Sequence, residues 1–284
     1  MKESVKKNNK NSLKESALNL TNDNYYSNEA SFKFLSKSVY FDFKKCEAKA
    51  LAKLNGEFEE QRSQIPLLVG NYLHSYFESE ESHDQFLEEH QKEIYKYGNK
   101  EKGIKSDFKV ADRMINSLAN EDSFNKVYQG EKEVIVTGEI EGINWKGKID
   151  CLNLDRGIFL DLKTVADIHG KYWNESQHQY ETFAVHGGYI LQMAIYQELI
   201  KQTFGKVCQP FIIAVSKQDI PDKAIFSIPQ SILDSELESL EMNQDHIANV
   251  INGEEKPKRC EKCDYCRSTK ELKEITSIMD IQIY

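Results

Sequence analysis

Unbroken apolar runs and alternating stretches divide the chain into predicted strands. Residues 158–160 and 211–215 are continuously apolar, which is typical of strands covered on both faces. Residues 132–140 alternate between apolar and polar side chains well enough to predict a strand, and residues 224–228, which are apolar apart from Ser227, predict a further one. We therefore expect a sheet in which the strand beginning at Ile158 is central.

Helical periodicity accounts for most of the remaining chain. Between Phe108 and Leu118, apolar residues recur at intervals of three and four, which predicts a helix that packs on the core. Similar patterns predict helices over residues 67–79, 177–204 and 231–252, and an alanine-rich stretch predicts one over 44–52. Gly187 and Gly188 allow a break in the longest of these helices.

Residues 147–164 form the most informative segment, which is predicted to be a hairpin with a turn at 155–157. Its second strand continues from an apolar start into Asp161-Leu162-Lys163. Because side chains alternate along a strand, Asp161 and Lys163 point to one face, and Asp150 on the partner strand can reach the same place. Such a group can hold a divalent metal ion and orient a water molecule. The alternative is an exposed ion pair that contributes little.

Composition limits the class of protein. The 284 residues carry 37 Lys and Arg against 46 Asp and Glu, a net charge of −9, which argues mildly against a nucleic-acid partner unless a local basic patch is present. No apolar run approaches the roughly 18 residues that a membrane span needs. Residues 1–28 are polar and lack the apolar core of a secretory signal. We expect a cytoplasmic protein without a membrane partner. Residues 1–28 are expected to form a disordered tail.

Cysteines cluster near the C-terminus. Cys260, Cys263 and Cys266 are three residues apart, a spacing at which thiolates can converge on one metal ion or cluster. A fourth ligand is required. The candidates are Cys46, Cys151 and Cys208.

These motifs together resemble the RecB-like form of the PD-(D/E)xK nuclease superfamily. Residues 147–150, Gly-Lys-Ile-Asp, resemble its first strand motif without the proline, and residues 161–163 resemble its Asp-x-Lys motif. Upstream, Gly-x-x-x-His-x-x-x-Glu over 70–78 resembles the first helical motif. Downstream, Gln-x-x-x-Tyr over 192–196 resembles the third motif. Taken singly, the histidine could be a satisfied core residue and the glutamine the polar edge of a helix.

The resemblance implies an α/β protein with a restriction-endonuclease-like core, in which a mixed central β-sheet is flanked by helices. It assigns metal binding to His74, Asp150, Asp161 and the Leu162 carbonyl, with Mg²⁺ or Mn²⁺ as the ion. It assigns catalysis to Asp150, Asp161 and Lys163. To Gln192 and Tyr196 it assigns contact with the DNA backbone and support of the active-site lysine. Glu78 is left as a supporting group.

The cysteines acquire an interpretation from the same resemblance. Iron–sulfur members of the superfamily bring one cysteine from before the nuclease motifs to three after them, which implies Cys46 as the fourth ligand of a 4Fe–4S cluster. The spacing before Cys266 is shorter than theirs, so Zn²⁺ stays open as the alternative. The implied organisation is a nuclease domain over 29–256 and a cysteine-cluster arm over 257–284 that packs on the N-terminal helix.

The function implied is a Mg²⁺-dependent double-strand DNA exonuclease of phage-type recombination or DNA processing, closest to RecE-like enzymes. DNA is then the substrate, and a single-strand annealing recombinase is a candidate partner. A catalytically inactive DNA-binding or recombination accessory module of the same fold is the alternative, and a hydrolase of another phosphoester is a third. The sequence leaves open whether the chain forms a homo-oligomer.

Overall fold

The computed structural model describes residues 18–61, 63–175, 177–272, 275 and 277–280. Within them, the strands are β1 (Glu131–Ile140), β2 (Ile143–Asn153), β3 (Ile158–Val165), β4 (Tyr172–Asn174), β5 (Gln179–Glu181), β6 (Gln209–Ser216) and β7 (Lys223–Ser227). The helices are α1 (Asn28–Lys33), α2 (Lys37–Lys45), α3 (Glu47–Leu54), α4 (Ile65–Glu78), α5 (Glu80–Glu89), α6 (Gln91–Ile94), α7 (Ser106–Ala119), α8 (Asp122–Val127), α9 (Phe183–His186), α10 (Tyr189–Phe204), α11 (Gln230–Ile251) and α12 (Asp264–Ser268). Short 3₁₀ turns cover Lys96–Gly98, Lys100–Lys102 and Ile278–Asp280.

The main sheet has the strand order β1-β2-β3-β6-β7 among the described residues. Strands β3 and β6 are parallel and joined by the segment containing α10, whereas the other neighbours are antiparallel. Strand β3 is central, as its apolar start predicted. The sheet is therefore mixed, and this confirms the predicted α/β architecture.

Helices cover both faces of the sheet. Phe159 of β3 packs in a core with residues of α2, α10 and α11, whereas Leu160 and Leu162 pack in a second core with residues of α4 and α7. Because side chains alternate, Asp161 follows Phe159 onto the α10 face. The polar residues of β3 thus lie under a helix and not on an open surface.

The helix predicted over 44–52 is interrupted at Cys46. Helix α2 ends there and α3 begins there, and Cys46 itself has an extended backbone with φ −166°. The N–H of Ala48 donates to the carbonyl of Lys258, 3.0 Å away, in place of a helical partner. The prediction of one continuous helix was wrong because the C-terminal arm supplies this hydrogen bond from a distant part of the sequence.

The helix predicted over 177–204 is also shorter than expected. Residues Gln179–Glu181 form β5, which pairs with β4 in a separate small hairpin, and a short α9 follows. The long helix α10 begins only after Gly188, whose φ of 63° ends the preceding turn. Residues 177–182 have no sustained apolar period, so local pairing with 172–174 determines their structure.

The N-terminal segment makes contacts earlier than its polar composition predicted. Tyr25 is buried, and its carbonyl accepts a hydrogen bond of 2.6 Å from the buried Lys146. Ser27 caps α1 through the N–H of Ala30. Residues 1–17 of the predicted tail lie outside the described residues. In the part of the chain described, no helix has both the length and the apolarity needed to cross a membrane.

Candidate active site and cysteine cluster

The site lies where β2 and β3 separate. Their ladder ends at the pair Cys151–Leu160, so Asp150 and Asp161 are the next positions along the two strands. The freed N–H of Leu162 donates to Asp150 Oδ2 at 2.6 Å. A carboxylate therefore replaces the missing ladder partner and is held at the opening between the strands.

Asp161 is 1% exposed and is held from two sides. Lys163 Nζ lies 2.6 Å from its Oδ2, and Gln192 Nε2 donates to its Oδ1 at 3.0 Å. Oδ2 has no further hydrogen-bond partner among the described residues, so the Lys163 ammonium is its one polar contact there. The structure thus brings Asp161 and Lys163 to one face, and it leaves a buried carboxylate oxygen incompletely satisfied.

His74 reaches the same opening from α4. Its Nδ1 lies 3.5 Å from Asp150 Oδ2, and its ring is within hydrogen-bond reach of the Leu162 backbone. Burial lowers the pKa of His74, and the charge of Lys163 acts in the same direction, so the neutral imidazole that can bind a metal ion is favoured. The structure therefore brings together His74, Asp150 and Leu162, to which the resemblance assigned metal binding, although they come from distant segments.

Glu133 joins this group although the sequence analysis did not select it. One ligand atom from each of His74, Glu133 and Asp150 lies within 4.8 Å of the other two. Glu133 also pairs with Lys148 at 2.8 Å. A lone glutamate on a strand resembles a surface residue. Only the register of the β1–β2 hairpin could have identified it.

The electrostatics of the site favour a bound cation. Burial raises the pKa of Asp150 well above its ordinary value, and the charge of Asp161 raises it further despite Lys163. Burial lowers the pKa of Lys163, but the charges of Asp161 and Asp150 outweigh it and leave that pKa raised. Carboxylate oxygens at close range with too little opposing charge are a donor set suited to Mg²⁺ or Mn²⁺. The residues present therefore fit a divalent metal ion.

Gln192 and Tyr196, which the resemblance assigned to DNA contact, are both buried. The amide of Gln192 donates to Asp161 and to the hydroxyl of Tyr196, each at 3.0 Å. The ring of Tyr196 packs on Gly147, where a Cβ atom would come within 2.7 Å of it. In the structure, Gln192 therefore supports Asp161 directly, and Tyr196 supports it through Gln192. Glu78 accepts a hydrogen bond from Ser82.

The four predicted cysteines lie close together in the structure, although Cys46 and Cys266 are 220 residues apart in sequence. The Sγ of Cys46 lies 3.5 Å from that of Cys266 and 3.8 Å from that of Cys263, and the Sγ atoms of Cys260 and Cys266 are 4.0 Å apart. These distances are too long for disulfides. Burial acts to raise the pKa of Cys260, but backbone hydrogen bonds from Lys262 and Cys263 lower it to about 6, which favours a thiolate.

Further contacts hold the C-terminal arm against α3. Glu47 accepts hydrogen bonds from the N–H of Lys258 at 2.8 Å and from His246 Nε2 at 3.0 Å. Phe58 and Tyr265 pack edge to face with ring centroids 5.3 Å apart. The two remaining cysteines, Cys151 and Cys208, are buried elsewhere in the sheet region.

Comparisons with known proteins identify the family and the fold. A crystal structure described as "Putative exonuclease" from Eubacterium rectale is 38% identical with a TM-score of 0.83, and the alignment covers 93% of this chain and 98% of that chain. The structure of SSO0001 is 17% identical, with an alignment that covers 82% of this chain and 95% of that chain, and the TM-score is only 0.27. A search of curated proteins finds no match. The model of one family, described as "PDDEXK-like domain of unknown function (DUF3799)", matches residues 36–269, and the chain therefore belongs to this PDDEXK-like family, with a restriction-endonuclease-like α/β fold.

Proposed function

We propose that this protein is a Mg²⁺- or Mn²⁺-dependent DNA nuclease that degrades double-stranded DNA from its ends. The observation that supports this most directly is the convergence of Asp150, Asp161 and Lys163 with His74 at the opening between β2 and β3. The similarity to a protein described as an exonuclease favours cleavage from an end over internal cleavage. An acidic protein can bind DNA through a local set of lysines.

The metal ion would be held by His74, Asp150, Asp161 and the Leu162 carbonyl, with Glu133 as an additional carboxylate. When bound, such an ion polarises a phosphate and lowers the pKa of a water molecule. Leu162 holds the Asp150 carboxylate in place through its N–H, and Gln192 holds Asp161. These contacts fix the ligands before substrate arrives, which limits the reorganisation required during the reaction.

Lys163 would contribute positive charge beside the reacting phosphate. Asp161 and Asp150 keep its ammonium protonated, as the raised pKa of Lys163 indicates. A protonated lysine donates hydrogen bonds to an attacking water or to a phosphate oxygen that gains charge in the transition state. A catalytically inactive DNA-binding module would be expected to have lost one of the three motif residues. Asp150, Asp161 and Lys163 are all present and lie close together, which favours the nuclease over this alternative.

For the cysteine cluster we propose a structural metal site, and its geometry favours Zn²⁺ over the 4Fe–4S cluster. A tetrahedral zinc ion with Zn–S bonds of about 2.3 Å places its thiolates about 3.8 Å apart. The Sγ separations of 3.5, 3.8 and 4.0 Å are close to this value. In a 4Fe–4S cluster each thiolate binds a different iron atom, so the four sulfurs must surround a larger body.

The experiment that tests the nuclease function uses end-labelled linear duplex DNA and closed circular DNA with Mg²⁺. We expect degradation of the linear duplex alone, and loss of activity with a chelator. Asp161→Asn and Lys163→Met should each lower kcat by at least about 100-fold, whereas Lys102→Met, at an exposed position, should not. Full activity of either folded site variant would remove these residues from the mechanism.

Cleavage of the circle would replace exonuclease with endonuclease action, and failure to bind DNA would refute the nuclease proposal. An exonuclease that resects duplex ends supplies single strands. A single-strand annealing recombinase, which binds such strands, is therefore the protein partner that we propose.

A further inference from the structure

We propose that Lys37 is a DNA-phosphate-binding residue of this site, which contacts the strand beside Lys163. The inference rests on the proposed nuclease function and deepens it, because it assigns a substrate contact to a residue outside the recognised motifs. Lys37 is the first residue of α2, more than 100 residues before the catalytic hairpin.

Lys37 and Lys163 both approach the ring of Tyr189. The Nζ of Lys37 lies 4.9 Å from the centroid of Tyr189, and the Nζ of Lys163 lies 4.8 Å from it. The two ammonium groups are therefore less than about 10 Å apart. Successive phosphates of a DNA strand are spaced by about 3.4 Å along the helix axis. One strand can thus contact both lysines.

The ammonium of Lys37 has no paired counter-charge in the described structure, and the charge of Asp161 reaches it only from beyond salt-bridge distance. It donates to the carbonyl of Gly187 and lies over the rings of Phe41 and Tyr189, but no carboxylate among the described residues is within salt-bridge distance. Two lysines closer to the carboxylates do have such partners: Lys163 pairs with Asp161, and Lys148 with Glu133. A partly buried cation without an anion is costly, and a bound phosphate would supply one.

The electrostatic effect of this position is visible in the pKa of Lys37. Burial lowers that pKa to about 8, and the charge of Lys163 contributes in the same direction. The two cations therefore repel each other in the free protein. A phosphate between the two ammonium groups would relieve this repulsion, and the affinity for DNA would rise accordingly.

Close packing of α2 fixes Lys37 at the site. The ring of Phe41 lies against Gly188, where a Cβ atom would come within 1.9 Å of the ring. Glycine is thus required for α2 to approach the start of α10. At its other end, α2 terminates at Cys46 of the cysteine cluster. The helix is held at its middle and at its C-terminal end, so the Lys37 ammonium is pre-positioned.

The test compares Lys37→Met and Lys37→Arg in the Asp161→Asn background, in which binding is measured without cleavage. Fluorescence anisotropy with a labelled duplex is recorded over a range of salt concentrations. We expect Lys37→Met to weaken binding about ten-fold and to reduce the slope of log K against log salt by about 1, the effect of one lost phosphate contact. Lys37→Arg should retain most of the slope because it retains the charge.

Lys44→Met is the matched control. Lys44 belongs to the same helix and also lies over aromatic rings, 5.7 Å from Tyr40 and 5.9 Å from Phe41, but it is exposed. We expect its salt slope to equal that of the parent protein. A thermal unfolding curve for each variant reports any purely structural effect.

The outcomes separate the two proposals. DNA binding by Lys37→Met with an unchanged salt slope overturns the role of Lys37 and leaves the nuclease function standing, as does a lowered unfolding temperature without a change in slope. Absence of DNA binding by the parent Asp161→Asn protein and by the wild-type protein overturns both. A reduced slope in Lys37→Met, restored by Lys37→Arg, supports the phosphate contact.

Discussion

Glu133 lies directly across the β1–β2 hairpin from Asp150. The ladder pairs Lys132–Cys151 and Val134–Ile149 flank these two positions, and Glu133 has a positive φ of 53°. A left-handed backbone at a non-glycine residue costs about 1 kcal/mol or more, and such strain concentrates at functional sites. The register places the Glu133 carboxylate beside His74 and Asp150, where the three can share one cation.

We predict that Glu133→Gln weakens metal binding. The amide retains the size of the side chain but removes one negative charge from the donor group, so the Mg²⁺ concentration for half-maximal activity should rise about ten-fold or more. Calorimetric titration with Mn²⁺ measures the same loss without DNA. Glu131→Gln, at an exposed position of the same strand, is the control. Equal metal affinity in the Glu133 variant and the wild-type protein would assign Glu133 to its pair with Lys148 alone.

Gln192 provides a second prediction, which separates support of Asp161 from DNA contact. Gln192→Ala removes the hydrogen bond to a buried carboxylate, so we expect kcat to fall by about 100-fold through misplacement of Asp161, with KM for DNA nearly unchanged. Tyr196→Phe should lower kcat by a smaller factor, again with KM nearly unchanged, because it removes only the second acceptor of the Gln192 amide.

A rise in KM with normal kcat would instead restore the DNA-backbone role that the resemblance implied. Gln202→Ala is the control, since Gln202 lies on the same helix but contacts Glu139 at the edge of the sheet. Its kinetics should match those of the wild-type protein.

Much of the fold was predictable because the hydrophobic pattern is local. The apolar start of β3 predicted a central strand, and alternation placed Asp161 and Lys163 on one face. The break at Cys46 was not predictable in the same way, because the hydrogen bond that replaces the helical one comes from Lys258. No local period carries information about such a distant partner.

Glu133 shows what a motif search omits. Its neighbours form no pattern with His74 or Asp150, and the acidic composition gives no reason to select it. The turn at residues 141–142 does fix the hairpin register, and counting back from Asp150 then leads to Glu133. Such a count requires a prior decision that Asp150 belongs to a site.

The buried Lys146 gives a prediction about pH. Burial lowers its pKa from the ordinary value of 10.5 to about 8, so between these values the unfolded chain binds a proton that the folded chain does not. The contribution of Lys146 to stability should therefore rise as pH increases from about 8 towards 10. A full shift of this size corresponds to about 3 kcal/mol. Urea unfolding at several pH values measures it.

The matched variant for this measurement is Lys146→Met. Other groups with shifted pKa values titrate in the same range, among them Lys37 and Cys46, so the Lys146 contribution is the difference in slope between the wild-type protein and the variant. The comparison uses the slope with pH, because the variant also loses the hydrogen bond to the Tyr25 carbonyl. An unchanged slope would show that the Lys146 ammonium titrates normally in the folded protein.

The last prediction concerns the cysteine cluster, whose ligands Cys46 and Cys266 are 220 residues apart. A metal ion that joins them closes nearly the whole chain into a loop, and the closure entropy removed from the unfolded state grows with loop length. We therefore expect Cys46→Ser to lower the free energy of unfolding by about 3 kcal/mol, or the midpoint by roughly 10 °C. Cys208→Ser, at a buried cysteine outside the cluster, should retain the bound metal.

Metal analysis identifies the ion independently of activity. A colourless protein with one zinc per chain agrees with Sγ separations of 3.5 to 4.0 Å, whereas a brown protein with about four irons would establish the 4Fe–4S cluster instead. Hydrogen exchange of residues 37–45 then tests the link to the site. If the cluster anchors α2, Cys46→Ser and removal of the metal by a chelator should both accelerate exchange there. Unchanged exchange in both would mean that packing of Phe41 on Gly188 suffices to hold the helix, and that the cluster secures only the C-terminal arm.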